Sequence, residues 1–264
     1  MNVNSNSYTF IFSTVMVVVV AVLLAAAALG LKPAQDRNIE LEKQQNILSA
    51  VGIVVEREAA KEAYEKYITA EMVIDFNGTI KSQEPKSAFA IDMASQMGKA
   101  PEQREYPLFQ CKLDDGKTCY IIPMRGKGLW GPIWGYVSIQ EDFQSVFGAT
   151  FDHKSETPGL GAEITTPYFT GQFPGKKIIN ENGEYVSVAV IKPGAEAKTD
   201  YNVDGISGGT ITSRGVGEML ERTLKVYVAY FNTIKPSAEP ALETTPIDSN
   251  NVVVDSTAIT TASI

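Results

Sequence analysis

The sequence predicts an α+β fold, a single N-terminal transmembrane helix followed by a domain in which helices pack on an antiparallel sheet. Three observations predict it. An uncharged apolar run lies near the N-terminus, Asn-Gly and Asp-Gly pairs punctuate segments with period two, and a helical period closes the apolar part of the chain. The 264 residues, 44% of them hydrophobic, are sufficient for one or two domains with a buried core.

The apolar run, FIFSTVMVVVVAVLLAAAALGL, occupies residues 10–31 and follows an N-terminal tail at residues 1–9. About 22 residues at a rise of 1.5 Å cross a hydrocarbon core of roughly 30 Å. A cleaved signal peptide is the alternative, because the small residues Ala26 and Ala28 suit a signal peptidase. The tail has no Lys or Arg and the run exceeds a usual signal-peptide core, which favours an uncleaved anchor in the lipid bilayer.

Residues 32–72 are interpreted as a helical connector. Between its charged residues, apolar residues recur at helical intervals in two segments, first at Leu41, Ile47 and Leu48 and then at Ala60, Tyr64 and Tyr67. The connector therefore predicts two helices, at residues 36–53 and 56–72, that lead into the next domain.

The domain at residues 73–236 shows period two and tight turns. Turn-forming pairs occur at Asn77-Gly78, Asp115-Gly116 and Asn182-Gly183. These pairs supply the positive φ angles of hairpin turns, so they predict an antiparallel sheet.

A helix is predicted at residues 213–234, near the end of this domain, with Ser213 as its N-cap. Its apolar residues recur at helical spacing, at Leu220, Leu224, Tyr227, Val228 and Phe231. Residues 237–264 are rich in Ser, Thr, Pro and acidic residues without a sustained period, and they are expected to form a mobile tail.

The two cysteines, Cys111 and Cys119, flank the turn predicted at Asp115-Gly116. A three-residue loop places them opposite each other, whereas a two-residue loop shifts them out of register by one. A cross-strand disulfide in an oxidising compartment and two free buried thiols both remain open. A metal site is not expected, since His153 is the sole histidine.

Composition excludes two classes of function. The net charge is −8 and no dense Lys/Arg run is present, which argues against nucleic acid as a partner. The sequence shows no Ser/His/Asp or Cys/His set and no pair of carboxylates at a spacing that supports catalysis. No catalytic residue is therefore assigned, and hydrolysis is excluded. His153 is expected to form hydrogen bonds in a loop or at the surface.

The stretch DGISGGTITSRGV, residues 204–216, is the most informative motif. Gly208 and Gly209 permit close backbone approach, and the following helix offers unpaired N–H groups that suit a phosphate. The stretch has neither the lysine of a Walker loop nor the third glycine of a dinucleotide fingerprint. From these residues alone, a polar turn with a helix cap is slightly favoured over an anion site.

The same stretch resembles the flavinylation motif of FMN-binding domains. This motif consists of Asp, any two residues, and then Ser/Thr-Gly-Ala-Thr, and its last threonine carries FMN through a phosphoester bond. Residues 126–139, 153–164 and 210–216 are similar, in this order, to segments of the C subunit of the sodium-translocating NADH:quinone oxidoreductase. The N-terminal span and the QNILSAVGI helix after it are similar too. Gly209 departs from the motif, which usually has alanine there.

The resemblance implies that residues 73–236 are an FMN-binding domain and that FMN is attached to Thr210 rather than to Thr212. Trp130 is either a contact of the isoalloxazine or a plain core residue. Gly208 and Gly209 would let the phosphate approach, and Asp204 and Ser207 would shape the loop and serve recognition by a flavin transferase. The full set of implied cofactor-binding residues is Thr210, Asp204, Ser207, Gly208, Gly209, Thr212, Glu156, Thr157, Leu160, Gly161 and Trp130.

The resemblance further implies an electron-carrying part of an enzyme that relays electrons from NADH oxidation towards ubiquinone or menaquinone, coupled to sodium export. Its partners would be the A, B, D, E and F subunits of the membrane complex. The homologous G subunit of the Rnf ferredoxin:NAD oxidoreductase complex is the alternative within this class. A membrane-anchored binding module without a cofactor is the alternative from another class.

The orientation in the membrane receives conflicting signals. Lys32, Arg37 and Lys43 follow the span, so the positive-inside rule places the main domain in the cytoplasm. The resemblance implies a single-pass protein of the bacterial inner membrane with the FMN domain on the periplasmic side. Because the charges are few, we follow the resemblance.

Overall fold

The computed structural model describes residues 5–194 and 198–235, so the predicted tail at residues 237–264 lies outside it. The helices are α1 (Asn6–Ser49), α2 (Ala60–Tyr67), α3 (Met93–Met97), α4 (Pro167–Thr170) and α5 (Thr210–Ile234). The strands are β1 (Ile68–Ile74), β2 (Ile80–Ser82), β3 (Tyr106–Lys112), β4 (Thr118–Lys127), β5 (Pro132–Gln140), β6 (Val146–His153), β7 (Ala189–Ile191) and β8 (Asn202–Asp204). Short 3₁₀ turns occur at Arg57–Ala59, Pro101–Gln103 and Gly161–Thr165.

Six strands form one antiparallel sheet in the order β2-β1-β3-β4-β5-β6, and β7 pairs with β8 in a separate parallel ribbon. The hairpins predicted at Asn77-Gly78 and Asp115-Gly116 are confirmed, with φ angles of 80° at Gly78 and 85° at Gly116. The predicted α+β fold class is therefore confirmed.

Helices cover both faces of the sheet. Since neighbouring strand residues point to opposite faces, each strand contributes side chains to both clusters. On β3, Leu108 packs in the cluster with α5, whereas Phe109 packs in the cluster with the end of α1. The α5 cluster includes Val216, Met219, Leu220, Leu224 and Tyr227, and the α1 cluster includes Ile47, Leu48, Tyr64, Cys111, Cys119 and Tyr136. Near the start of α5, Gly215 lies against the backbone carbonyl of Lys127, the last residue of β4.

Helix α1 joins two predicted elements in one continuous 44-residue helix that contains Pro33. Its first part includes the apolar run, whose side chains are exposed, and its last turns are buried against the sheet. Within the described ranges, α1 is the one helix long and apolar enough to cross a membrane. Length and composition thus fit a membrane-anchored protein.

Three local expectations are wrong. The second connector helix ends at Tyr67, and residues 68–72 belong to β1. Helix α5 begins at Thr210, so Ser213 lies inside it and is not the N-cap. At Asn182-Gly183 the chain forms a tight turn with one bridge, Ile179 to Tyr185, instead of a full hairpin. The boundary between connector and domain at residues 72 and 73 stays a prediction.

Candidate functional site

A cavity of about 210 Å³ lies at the start of α5. Three segments enclose it: the loop between β4 and β5, the segment that follows β6, and the turn that leads into α5. Its lining residues are Leu129, Trp130, Glu156, Thr157, Leu160, Gly161, Gly208, Gly209, Thr210, Ile211 and Thr212. Larger cavities of about 490, 1090 and 400 Å³ lie elsewhere and contain none of these residues.

The structure brings nine of the eleven predicted site residues together in this lining. Asp204 does not line the cavity; its carboxylate lies 3.0 Å from Lys198 Nζ, and its backbone is hydrogen-bonded to the Gln172 side chain. Ser207 is exposed in the turn before α5 and also lies outside the lining. Two lining residues, Leu129 and Ile211, were not predicted, although both are sequence neighbours of predicted residues.

Glu156 connects the three segments from a buried position, with 5% of its surface exposed. Its Oε1 accepts a hydrogen bond from the Trp130 amide at 2.8 Å, and its Oε2 accepts one from Thr212 Oγ1 at 2.6 Å. The Glu156 amide donates to His153 Nδ1 at 3.2 Å, so His153 forms the expected loop hydrogen bond. A buried carboxylate with both oxygens paired fixes the loop, the turn and the helix relative to one another.

At two glycines the neighbouring atoms leave no space for a side chain. At Gly161, a Cβ atom would collide with Glu156 Oε2 and lie 2.6 Å from Thr212 Oγ1. At Gly208, φ is +75° and a Cβ atom would lie 2.7 Å from Leu160 Cδ2. Gly209 is less restricted, since a Cβ atom there would lie 3.1 Å from Ile206 Cβ and φ is not positive.

The threonines at the start of α5 differ in accessibility. Thr210 is exposed, whereas Thr212 is 1% exposed and its hydroxyl donates to Glu156. The Ser213 amide donates to the Gly209 carbonyl at 2.9 Å, which closes the first helical turn. Amides in the first turn of a helix lack intrahelical acceptors, and the helix dipole favours an anion there. Thr210 therefore presents an exposed side chain at a helix N-terminus, where unpaired amides favour an anion.

Apolar side chains form an exposed rim around the cavity. The exposed fractions are 66% for Trp130, 53% for Ile211, 48% for Leu129 and 43% for Leu160. The reading of Trp130 as a plain core residue is therefore wrong. A rim of this kind suits a flat aromatic ligand that is held at one end by the polar turn.

Within residues 5–194 and 198–235, no group of three His, Cys, Asp or Glu side chains is arranged to hold a metal ion.

Comparison with known proteins gives consistent results. Residues 128–225 match the model of the FMN-binding domain family. The chain is 36% identical over 202 residues to the C subunit of the Na(+)-translocating NADH-quinone reductase of Haemophilus ducreyi, covering 72% of this chain and 78% of the relative. It is 34% identical over 208 residues to the C subunit of the Pasteurella multocida reductase, again covering 72% and 78%.

Two crystal structures share the fold. The C subunit of the Na(+)-translocating NADH-quinone reductase from Parabacteroides distasonis is 42% identical, with a TM-score of 0.68, over 76% of this chain and 96% of that one. Shewanella oneidensis NqrC is 25% identical, with a TM-score of 0.64, over 77% of this chain and 100% of that one.

Proposed function

Because the chain belongs to the family of the C subunits of Na(+)-translocating NADH-quinone reductases, we propose that it is the FMN-carrying subunit of such a complex, with FMN linked to Thr210. The observation that carries the proposal is the position of Thr210. Its exposed side chain lies at the N-terminus of α5, in the wall of the cavity. All residues that line this cavity fall within residues 128–225, which match the FMN-binding domain family.

The residues of the cavity fit a phosphate ester. The unpaired amides of the first turn of α5 would hydrogen-bond the phosphate oxygens, and the helix dipole would stabilise their negative charge. Gly208 gives the turn its left-handed conformation, and a Cβ atom there would lie 2.7 Å from Leu160 Cδ2 in the cavity wall. Thr212 cannot serve equally as the attachment point, because its hydroxyl is buried and donates to Glu156.

The size of the cavity indicates how the rest of the cofactor would lie. About 210 Å³ is below the 300–1,000 Å³ typical of pockets that enclose a whole small molecule. The cavity would therefore hold the phosphate end, and the exposed Trp130 and Leu160 would contact the ring system from the side. FMN bound here would supply reversible electron transfer, and a ring left partly exposed would remain accessible to a redox partner.

The names of the relatives support the wider assignment. We place the protein in a complex with the A, B, D, E and F subunits, where it relays electrons from NADH oxidation towards ubiquinone or menaquinone, coupled to sodium export. A flavin transferase would attach the cofactor. The protein would be anchored by α1 in the bacterial inner membrane, with the FMN-binding domain on the periplasmic side.

The attachment is tested by co-expressing the full-length protein with a flavin transferase and reading flavin fluorescence in a denaturing gel. Wild type is expected to give a fluorescent band and Thr210→Val to give none. The matched variant Thr212→Val removes a hydroxyl two residues away, together with its bond to Glu156, and is expected to stay fluorescent at a lower yield than wild type. A fluorescent Thr210→Val band, or a dark wild-type band, would refute the proposed linkage.

A further inference from the structure

The cysteine pair lies outside the flavin site, on the opposite face of the sheet from α5. Cys111 on β3 and Cys119 on β4 are directly opposed in the antiparallel register. They are the two cysteines in the sequence, and both are free and buried, with 0% and 1% of their surfaces exposed.

The backbone spacing of this pair follows from the turn beside it. The Leu113 amide donates to the Lys117 carbonyl at 2.9 Å, which makes Leu113 and Lys117 a hydrogen-bonded pair. Such pairs alternate along an antiparallel ladder, so Cys111 and Cys119, two positions further, form the next one. Hydrogen-bonded pairs have Cα atoms about 5.5 Å apart, within the roughly 4.4–6.8 Å that a disulfide spans. Their Cβ atoms, about 4.5–5.5 Å apart, must move closer to reach the roughly 3.5–4.5 Å of a disulfide, so the two strands draw together as the bond closes.

We infer that Cys111 and Cys119 are a disulfide site, closed by oxidation while the hairpin forms and then buried as a structural cross-link. The inference rests on the proposed periplasmic location, because disulfides form and persist in oxidising compartments. It does not depend on FMN.

Burial determines when the bond must form. Ile47 and Leu48 of α1 and Tyr64 of α2 pack in the same cluster as the two thiols. Burial raises the pKa of Cys111 to about 12 and of Cys119 to about 11, so both are unreactive thiols in the folded domain. The hairpin is local and closes in microseconds, before α1 and α2 need to cover it.

The reaction is a thiol–disulfide exchange with an oxidised dithiol protein of that compartment. One cysteine, as the thiolate, attacks the disulfide of that protein and displaces one of its thiolates. The second cysteine then attacks the mixed disulfide and displaces the other. Two protons and two electrons leave this chain, one S–S bond forms between Cys111 and Cys119, and the oxidant becomes a dithiol.

The test counts free thiols in the full-length protein. Cells are quenched in acid, the protein is denatured without reductant, and a maleimide–polyethylene glycol reagent is added. Wild type is expected to carry no label, and two labels after reduction. Cys111→Ala is the control, with one label under both conditions.

Two labels on unreduced wild type would overturn the inference. Refolding reduced wild type in a glutathione redox buffer then distinguishes two causes. Reoxidation would show that the geometry permits the bond and that the proposed oxidising compartment is wrong. Continued labelling would show that the geometry does not permit the bond. Flavin fluorescence on the same gel separates this outcome from the proposed function, because a labelled, fluorescent band refutes the disulfide alone.

Discussion

At the scale of single residues, the site depends on hydrogen bonds between segments that are distant in the sequence. Glu156 receives donors from Trp130 and from Thr212, which are 26 and 56 residues away from it. Removing the carboxylate leaves the buried Thr212 hydroxyl without its acceptor and also breaks the bond from the part-buried Trp130 amide.

Glu156→Ala is expected to destabilise the domain by about 1–3 kcal/mol, since this is roughly the cost of one buried donor left unpaired, here the Thr212 hydroxyl. Glu156→Gln is the matched control, because its amide oxygen can still accept from the Trp130 amide and its NH₂ can donate to Thr212 Oγ1. Thermal unfolding of the purified full-length protein would measure both. Equal melting temperatures for Glu156→Ala and wild type would argue against this role.

The two glycines of the attachment turn are expected to respond differently to alanine. Gly208→Ala places a Cβ atom at φ +75°, 2.7 Å from Leu160 Cδ2, and a left-handed non-glycine residue costs about 1–2 kcal/mol. Gly209→Ala needs only a small shift of Ile206, since its closest contact is 3.1 Å. In-gel flavin fluorescence should fall several-fold for Gly208→Ala and remain near wild type for Gly209→Ala. The reverse order would contradict this geometry.

The sequence predicted which residues belong to the site better than it predicted their hydrogen-bond partners. The resemblance assigned Glu156 and Thr212 to the cofactor site, and the structure shows that they also bond to each other. A separation of 56 residues leaves no periodic signal from which such a pair could be derived. The prediction for Asp204 fails for a different reason. Asp204 belongs to the motif in the sequence, but the fold brings Gln172 and Lys198 to it as partners, and it does not line the cavity.

At the scale of elements, tertiary contacts move the ends of two helices. Ser213 matches the sequence rule for an N-cap, yet its hydroxyl accepts from the Ile206 amide inside the core, and the helix starts at Thr210. The helical pattern of the connector includes Glu71, but this residue is buried in β1, where it accepts from Tyr64 Oη and the Phe89 amide. Neither partner of Glu71 is evident from local sequence.

The end of α1 is expected to be part of the folded domain rather than a linker. Leu48 is fully buried, and a buried Leu→Ala substitution costs about 2–5 kcal/mol. Leu48→Ala should therefore lower the melting temperature of the full-length protein by roughly 5 °C or more. Ile39→Ala, on an exposed position of the same helix, is the control and should change little. If both variants melt like wild type, α1 does not support the core.

At the scale of the whole molecule, α1 connects the apolar run directly to the core. Gln44, the first buried residue of the helix, lies 13 positions after Leu31, which corresponds to about 20 Å of continuous helix. The FMN-binding domain would thus stand close to the membrane on a helical stalk. The hydrophobic pattern predicted both parts of α1, but the continuity through Pro33 was not evident, because an interior proline usually ends or kinks a helix.

The side of the membrane is open to a direct test with an exposed residue. Tyr168 is 73% exposed, so Tyr168→Cys in a Cys111→Ala, Cys119→Ala background offers one accessible thiol. A membrane-impermeant maleimide is expected to label this variant in intact cells, as the periplasmic location requires. Labelling only after the cells are lysed would place the domain in the cytoplasm, as the charges after the span suggest.

The central claim is that Thr210 carries FMN, and tandem mass spectrometry of the flavin-bearing peptide tests it most directly. After co-expression with a flavin transferase, the fragments are expected to assign a phosphoester-linked flavin to Thr210 and to leave Thr212 unmodified. A flavin on Thr212 or on another residue, or its complete release when the protein is denatured, would contradict the account.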